Sequence, residues 1–203
     1  MELDENANYI VSGIERSGTS LLMQMLDAGG VPTSFDPSSR PADENNPRGY
    51  YELEGGKIIN RLMEGNFPFE KYRGKFIKIT AYGLKFLPPG KYRIIYTERN
   101  IEEILDSMEK MAKTKDENRE DTRRVFLKLN RMIKHIIIER DDIEVLFVNY
   151  NHILGHPEEN IEKICDFLGS PGFDLDKMVR AVDKKLYRNR RAEIGGINGQ
   201  GPS

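Results

Sequence analysis

The segment Gly13-Ile14-Glu15-Arg16-Ser17-Gly18-Thr19-Ser20 constrains the fold of this chain more than any other. It follows the short apolar run 9–12 and precedes Leu21, Leu22, Met25 and Leu26, which recur at helical spacing. The pattern predicts a strand, a tight loop and a helix. Such a loop aims successive backbone N–H groups at one point, beside the positive end of the helix, and so makes a site for an anion. Gly13 and Gly18 permit the close turn, and Ser17, Thr19 and Ser20 add hydroxyl donors.

The nucleotide hydrolase version of this loop places a lysine directly after its second glycine, and this chain has Thr19 there. A cation stands instead at Arg16, two positions before Gly18, where it can meet a leaving phosphate rather than span a triphosphate.

A second anion site follows from spacing. The apolar run 92–97 reads as a strand leading into Glu98-Arg99-Asn100, and Ser107 lies eight residues past Arg99, about two helical turns along the next helix. An arginine at a strand end and a serine on the following helix can grip one phosphate together.

The rest of the chain alternates strand and helix patterns, the signature of a parallel sheet covered by helices. Residues 29–49 carry Gly29, Gly30, Pro32, Pro37 and Pro41 and form a long loop, a feature usually kept for function. A helix is expected over 56–64, a strand over 76–80 and a helix from Ile101 to Met111. The charged residues 113–124 read as a solvated, mobile connection, and Val125, Phe126, Leu129, Met132, Ile133, Ile136 and Ile137 as one long amphipathic helix. A strand over 144–150, a helix from Pro157 to Leu168 stopped by Gly169, and a last helix over 174–186 complete the prediction.

The loop with a cation before Ser17-Gly18-Thr19, the Arg99-Asn100 pair with Ser107, and the run Phe147-Val148-Asn149-Tyr150 followed by Pro157 and Phe167-Leu168-Gly169 together resemble the sulfotransferases, in particular small bacterial ones. That resemblance spans residues 9–169. It implies a three-layer α/β fold with a central parallel sheet, a P-loop-like sulfotransferase fold, and the donor 3'-phosphoadenosine 5'-phosphosulfate (PAPS), released as the 3',5'-bisphosphate (PAP). It further implies that Arg16, Ser17, Gly18, Thr19 and Ser20 hold the 5'-phosphosulfate, that Arg99 and Ser107 hold the 3'-phosphate, and that Tyr150 lies against the adenine.

Three residues are expected to act on the transferred group. Arg16 is placed to stabilise charge on the bridging oxygen. Lys78 lies near the end of the strand predicted over 76–80 and either reaches the transferring group or is an ordinary sheet lysine. The better known cytosolic branch ends this strand Lys-Thr-His, whereas this chain reads Lys78-Ile79-Thr80, and threonine is no general base at neutral pH. The segment Asn46-Pro47-Arg48-Gly49-Tyr50-Tyr51-Glu52 resembles the acceptor-side loop of bacterial sulfotransferases and nominates Glu52 as base. Glu52 equally suits the start of the next helix, where an acid meets the dipole. Asp36 and Asp43 have only their loop position to recommend them. Arg188, Arg190 and Arg191 form either a solvated basic run or a cover for the 3'-phosphate, without the tryptophan that usually follows in the cytosolic branch, since the chain has none.

Bulk properties fit this reading. A chain of 203 residues, 38% of them hydrophobic, suits one domain over 1–190, followed by a flexible glycine-rich tail over 191–203. With 31 basic against 33 acidic residues there is no field to recruit nucleic acid. The longest apolar run, 133–138, is too short for a bilayer, and residues 1–6 do not read as a signal peptide. The expected setting is cytoplasmic, with a small-molecule acceptor and an open oligomeric state. Three histidines without ligand spacing predict no metal, and the lone Cys165 reads as a buried structural thiol. The alternatives are a P-loop nucleotide kinase or hydrolase, and a noncatalytic nucleotide-binding protein.

Overall fold

The computed structural model describes residues 3–38, 40–44, 46–169 and 172–182. Four strands, β1 (Asn8–Gly13), β2 (Phe76–Lys78), β3 (Tyr92–Glu98) and β4 (Ile143–Asn149), form one sheet in the order β2-β1-β3-β4. All three pairings are parallel, with Ile10 opposite Ile77, Val11 opposite Ile95, and Tyr96 opposite Phe147. Parallel sheets are covered on both faces, and β1 is accordingly buried along its whole length.

Two apolar layers do the covering. Tyr9, Val11, Ile95 and Val148 face α1 (Thr19–Ala28), α6 (Pro157–Leu168) and α7 (Leu175–Ala181), where Leu22, Leu26, Ile161, Ile164 and Met178 pack on them. Ile10, Ile77, Ile94 and Tyr96 face the other way, onto α2 (Ile58–Met63), the 3-10 segment Ala81–Phe86, and Ile133 and Ile137 of α4 (Arg119–Ile138). The alternation of Tyr9, Ile10 and Val11 between the layers is the period of a strand. The expected three-layer α/β architecture with a central parallel sheet is therefore the observed one.

The chain leaves β1 toward β2 on one side and leaves β3 toward β4 on the other. The carboxyl ends of these two adjacent strands consequently flank the crevice where the direction of winding reverses, the usual ligand position in such sheets. The free edge of β2 is capped by the long loop, since Phe76 N donates to Pro32 O and Ser34 N to Phe76 O, both at 2.8 Å.

Several boundaries differ from expectation for physical reasons. The charged stretch 113–124 is not a mobile connection. Lys113 closes α3 (Ile101–Ala112) in a left-handed conformation, and α4 starts at Arg119, whose guanidinium pairs with Glu102, Asp106 and Glu109 at 3.0, 2.7 and 2.8 Å. The opposite charges meet across two helices, which a one-dimensional reading takes for a solvated run. Tyr150 does not end a strand but opens α5 (Tyr150–Gly155), because the Asn149 side chain accepts the His152 N–H and caps the helix. Strand β2 stops at Lys78, short of Thr80, and the 3-10 turn Glu54–Gly56 precedes α2. Helix α7 is capped by Asp174. The expected continuation of this helix to Leu186, the Arg188, Arg190 and Arg191 cluster and the tail lie outside the described residues.

Candidate functional site

The loop after β1 wraps tightly because two glycines leave room for it. A Cβ on Gly13 would collide with the Ser17 side chain and lie 2.6 Å from the Thr97 carbonyl, and one on Gly18, at φ 110°, would enter the Tyr150 ring. Thr97 Oγ1 on β3 donates to Ser17 O at 2.9 Å and ties the loop to the sheet, while the buried Ser17 Oγ makes no protein hydrogen bond. Arg16 adopts a left-handed backbone at φ 66°, a conformation costing roughly 1–2 kcal/mol that surrounding contacts must hold.

Arg99 supplies one of those contacts. From the end of β3 its Nη1 donates to Arg16 O at 3.1 Å, its Nε to Glu103 at 3.0 Å, and its guanidinium lies 4.5 Å from the centre of the Tyr150 ring. Ser107, two turns along α3, accepts a hydrogen bond from Arg16 Nε at 3.0 Å. Arg16, Arg99, Ser107 and Tyr150 thus converge from the loop, the β3 end, α3 and α5. Burial lowers the pKa of Arg16, with Arg99 and Arg40 adding repulsion, and burial raises that of the Tyr150 phenol.

The other end of the crevice is built around Lys78. Its side chain is nearly enclosed, so it is not an ordinary sheet lysine, and its Nζ lies 3.1 Å from Glu52 Oε1 and 3.3 Å from Ser20 Oγ. It also donates to Tyr50 O, an acceptor shared with Ser20 Oγ at 3.2 Å. Burial pulls the Lys78 pKa below the usual lysine range, and the Glu52 charge opposes that shift. Arg40 bonds both Glu52 oxygens at 3.2 Å and stacks 3.5 Å from the Tyr50 ring centre. The Tyr50 hydroxyl donates to Asp43. Asp36 instead accepts from Ser38 within its own turn.

One cavity of about 230 Å³ joins the two ends. Arg16, Gly18, Thr19, Ser20, Glu52, Lys78, Arg99, Ser107 and Tyr150 all line it, whereas the Ser17 side chain lies beneath the loop and not on the cavity wall. Asn46, from the segment read as the acceptor-side loop, lines it too, as do Gln24, Arg40 and Lys110, which were not singled out from sequence; Arg40 belongs to the long loop, whose irregular backbone gives no periodic signal. Glu103 was missed as well, although its place four residues after Arg99 on a helix is the spacing of an ion pair.

The family described as the sulfotransferase domain matches residues 6–194. The chain belongs to this family. Sulfuryl transfer, the family's activity, is therefore the reaction of this enzyme, on an acceptor that family membership leaves open. Solved sulfotransferases share the fold at low identity. The sulfotransferase domain of the curacin biosynthetic pathway is 16% identical with a TM-score of 0.53, over 89% of this chain and 79% of that one. A Mycobacterium tuberculosis sulfotransferase is 14% identical with a TM-score of 0.56, over 89% and 71%. A mouse sulfotransferase, solved as a complex with PAP, is 16% identical with a TM-score of 0.53, over 95% and 69%. No curated protein matches the chain. Among the described residues, no helix of the sulfotransferase is long and apolar enough to cross a membrane, and no three His, Cys, Asp or Glu side chains gather as metal ligands would.

Proposed function

We propose that this sulfotransferase uses PAPS as donor, with the nucleotide laid along the crevice between the β1 and β3 ends. The observation that carries the reading is the convergence of Arg16, Arg99 and Ser107 on one cavity, with Arg99 Nη1 3.1 Å from Arg16 O. It is supported by the Gly18–Tyr150 contact, which seats the Tyr150 ring directly against the phosphate loop because residue 18 lacks a side chain, and by the PAP-bound state of the mouse relative.

In this proposal Gly18, Thr19 and Ser20 and the N-terminus of α1 hold the 5'-phosphosulfate, with Ser17 shaping the loop from below and its Oγ available to an anion or water. Arg99 and Ser107 hold the 3'-phosphate, and Tyr150 flanks the adenine. When bound, PAPS supplies a sulfuryl group on a phosphate leaving group, so transfer forms an acceptor O–S or N–S bond, breaks the S–O bond to the 5'-phosphate and releases PAP. Arg16 and Lys78 are the cations that stabilise the oxygens on which charge accumulates, Lys78 by giving up one of its contacts to Tyr50, Glu52 or Ser20. Glu52, at the acceptor loop, takes the proton lost by the acceptor hydroxyl or amine.

Arg16 Nε donates to Ser107 Oγ, so it must turn from Ser107 toward the 5' end to serve the bridging oxygen. The acceptor is proposed to be a small molecule, the compartment to be cytoplasmic, and residues 1–190 to act as one domain. Calorimetric titration with PAP tests the donor assignment: binding near the micromolar range, about −8 kcal/mol, is expected, and its loss in both Arg16→Ala and Arg99→Ala. Unchanged affinity in either variant would overturn it.

A further inference from the structure

Glu103 has no part in the transfer just described, yet it is among the most buried charged groups in the protein, with 1% of its side chain exposed. Its Oε2 accepts from Arg99 Nε at 3.0 Å, and its Oε1 accepts from Asn151 Nδ2 at 3.1 Å. Asn151 follows Tyr150 in α5, and Ser107 stands one turn beyond Glu103 on α3. One carboxylate therefore joins the arginine at the β3 end to the first turn of the helix that begins with the tyrosine.

A buried carboxylate is costly to keep ionised, and a buried guanidinium is equally costly without a partner. The pair persists where its geometry is needed. An arginine has a flat fork of donors, and fixing its Nε edge on one side determines where the remaining donors point. With Nε on Glu103 and Nη1 on Arg16 O, the plane of the Arg99 guanidinium is defined by two contacts on two different elements, and the Tyr150 ring lies 4.5 Å from it.

We infer that Glu103, seated by Asn151, is the residue that sets selectivity for a 3'-phosphorylated nucleotide: it holds the Arg99 fork in the orientation that accepts the 3'-phosphate. The inference rests on the donor assignment above. Glu103 touches no ligand and acts through Arg99, so it is a positioning residue.

The test compares PAP with adenosine 5'-monophosphate, which lacks the 3'-phosphate, by calorimetry on the wild type, Glu103→Ala and Asn151→Ala. The wild type is expected to favour PAP by about a hundredfold, the scale of two charge-assisted hydrogen bonds. Glu103→Ala is expected to cut that preference about tenfold or more while leaving the monophosphate affinity within about twofold, and Asn151→Ala to cut it by about threefold. A general loss of structure would weaken both nucleotides alike and leave the ratio intact. If Glu103→Ala does not fold, the Asn151→Ala ratio decides. A ratio that is unchanged or increased, as it would be if Glu103 merely weakened the field of Arg99, overturns the inference. A wild type that binds both nucleotides equally overturns the donor assignment itself, and this inference with it.

Discussion

Lys78 and Glu52 form an ion pair within the wall of the cavity, Nζ to Oε1 at 3.1 Å, with 5% and 12% of their side chains exposed. The pair joins the end of β2 to the long loop that carries Arg40, Asn46 and Tyr50. Replacing Lys78 by methionine keeps the volume and removes the charge, while Glu52 keeps its bonds to Arg40. We expect kcat to fall at least about a hundredfold, the size of a lost charge-stabilising donor, while PAP affinity changes less. Steady-state kinetics beside a PAP titration separates the two, and an equal loss in both would remove Lys78 from the chemistry.

The same lysine predicts a pH dependence. Burial lowers its pKa from the ordinary 10.5, so the ammonium that we propose serves transfer is lost on the basic side before a free lysine would lose it. The rate should decline as pH rises through that lowered value, and Lys78→Arg should move the decline to higher pH. Stability runs the opposite way. Between the lowered folded value and 10.5 the unfolded chain binds more protons, so this group's contribution to stability increases with pH in that window. A basic limb unmoved in Lys78→Arg would show that another group titrates.

Gly18 tests the fit of loop and base. Alanine there is strained at φ 110° and its methyl enters the Tyr150 ring, so Gly18→Ala is expected to destabilise the protein by about 1–3 kcal/mol and to weaken PAP more than tenfold. Gly30, also at positive φ but in open space, is the control: Gly30→Ala should cost stability without lowering PAP affinity. Urea unfolding and calorimetry read the two effects.

Arg119 tests the junction of α3 and α4. Arg119→Met leaves Glu102, Asp106 and Glu109 facing one another with one cation fewer, and about 1–2 kcal/mol of stability should go, less in high salt. Arg119 does not line the cavity, so kcat and PAP affinity should change less than stability does. A loss that does not shrink with salt would point to packing rather than charge.

Legibility in the sequence followed the range of the signal. Gly13 to Ser20 could be read because its glycines, hydroxyls and flanking apolar runs are all local, and Arg99 with Ser107 because two turns of one helix preserve their spacing. The parallel sheet followed from the alternation of strand and helix patterns, and its three-layer arrangement from the resemblance to the sulfotransferases. Arg40 was missed because its partner Glu52 and its Tyr50 platform depend on how an irregular loop folds back. The start of α4 was missed because the acids that neutralise Arg119 lie on another helix. Whether Lys78 was buried or exposed also could not be read, since its enclosure comes from Glu52, Tyr50 and Ser20, all distant in the chain. Local chemistry was visible, and contacts between remote segments were not.

The cavity has two walls of different construction. Its nucleotide wall comes from strand ends and helix starts that the core needs in order to assemble, whereas much of the opposite wall comes from one irregular excursion between Val31 and Leu53. Mutation can reshape the tip of that excursion while Pro32 and Ser34 keep the β2 edge capped and Tyr50 and Glu52 keep Lys78 seated, so descendants of this enzyme have a ready route to new clients: they can exchange the tip and inherit the sulfur-donating half intact.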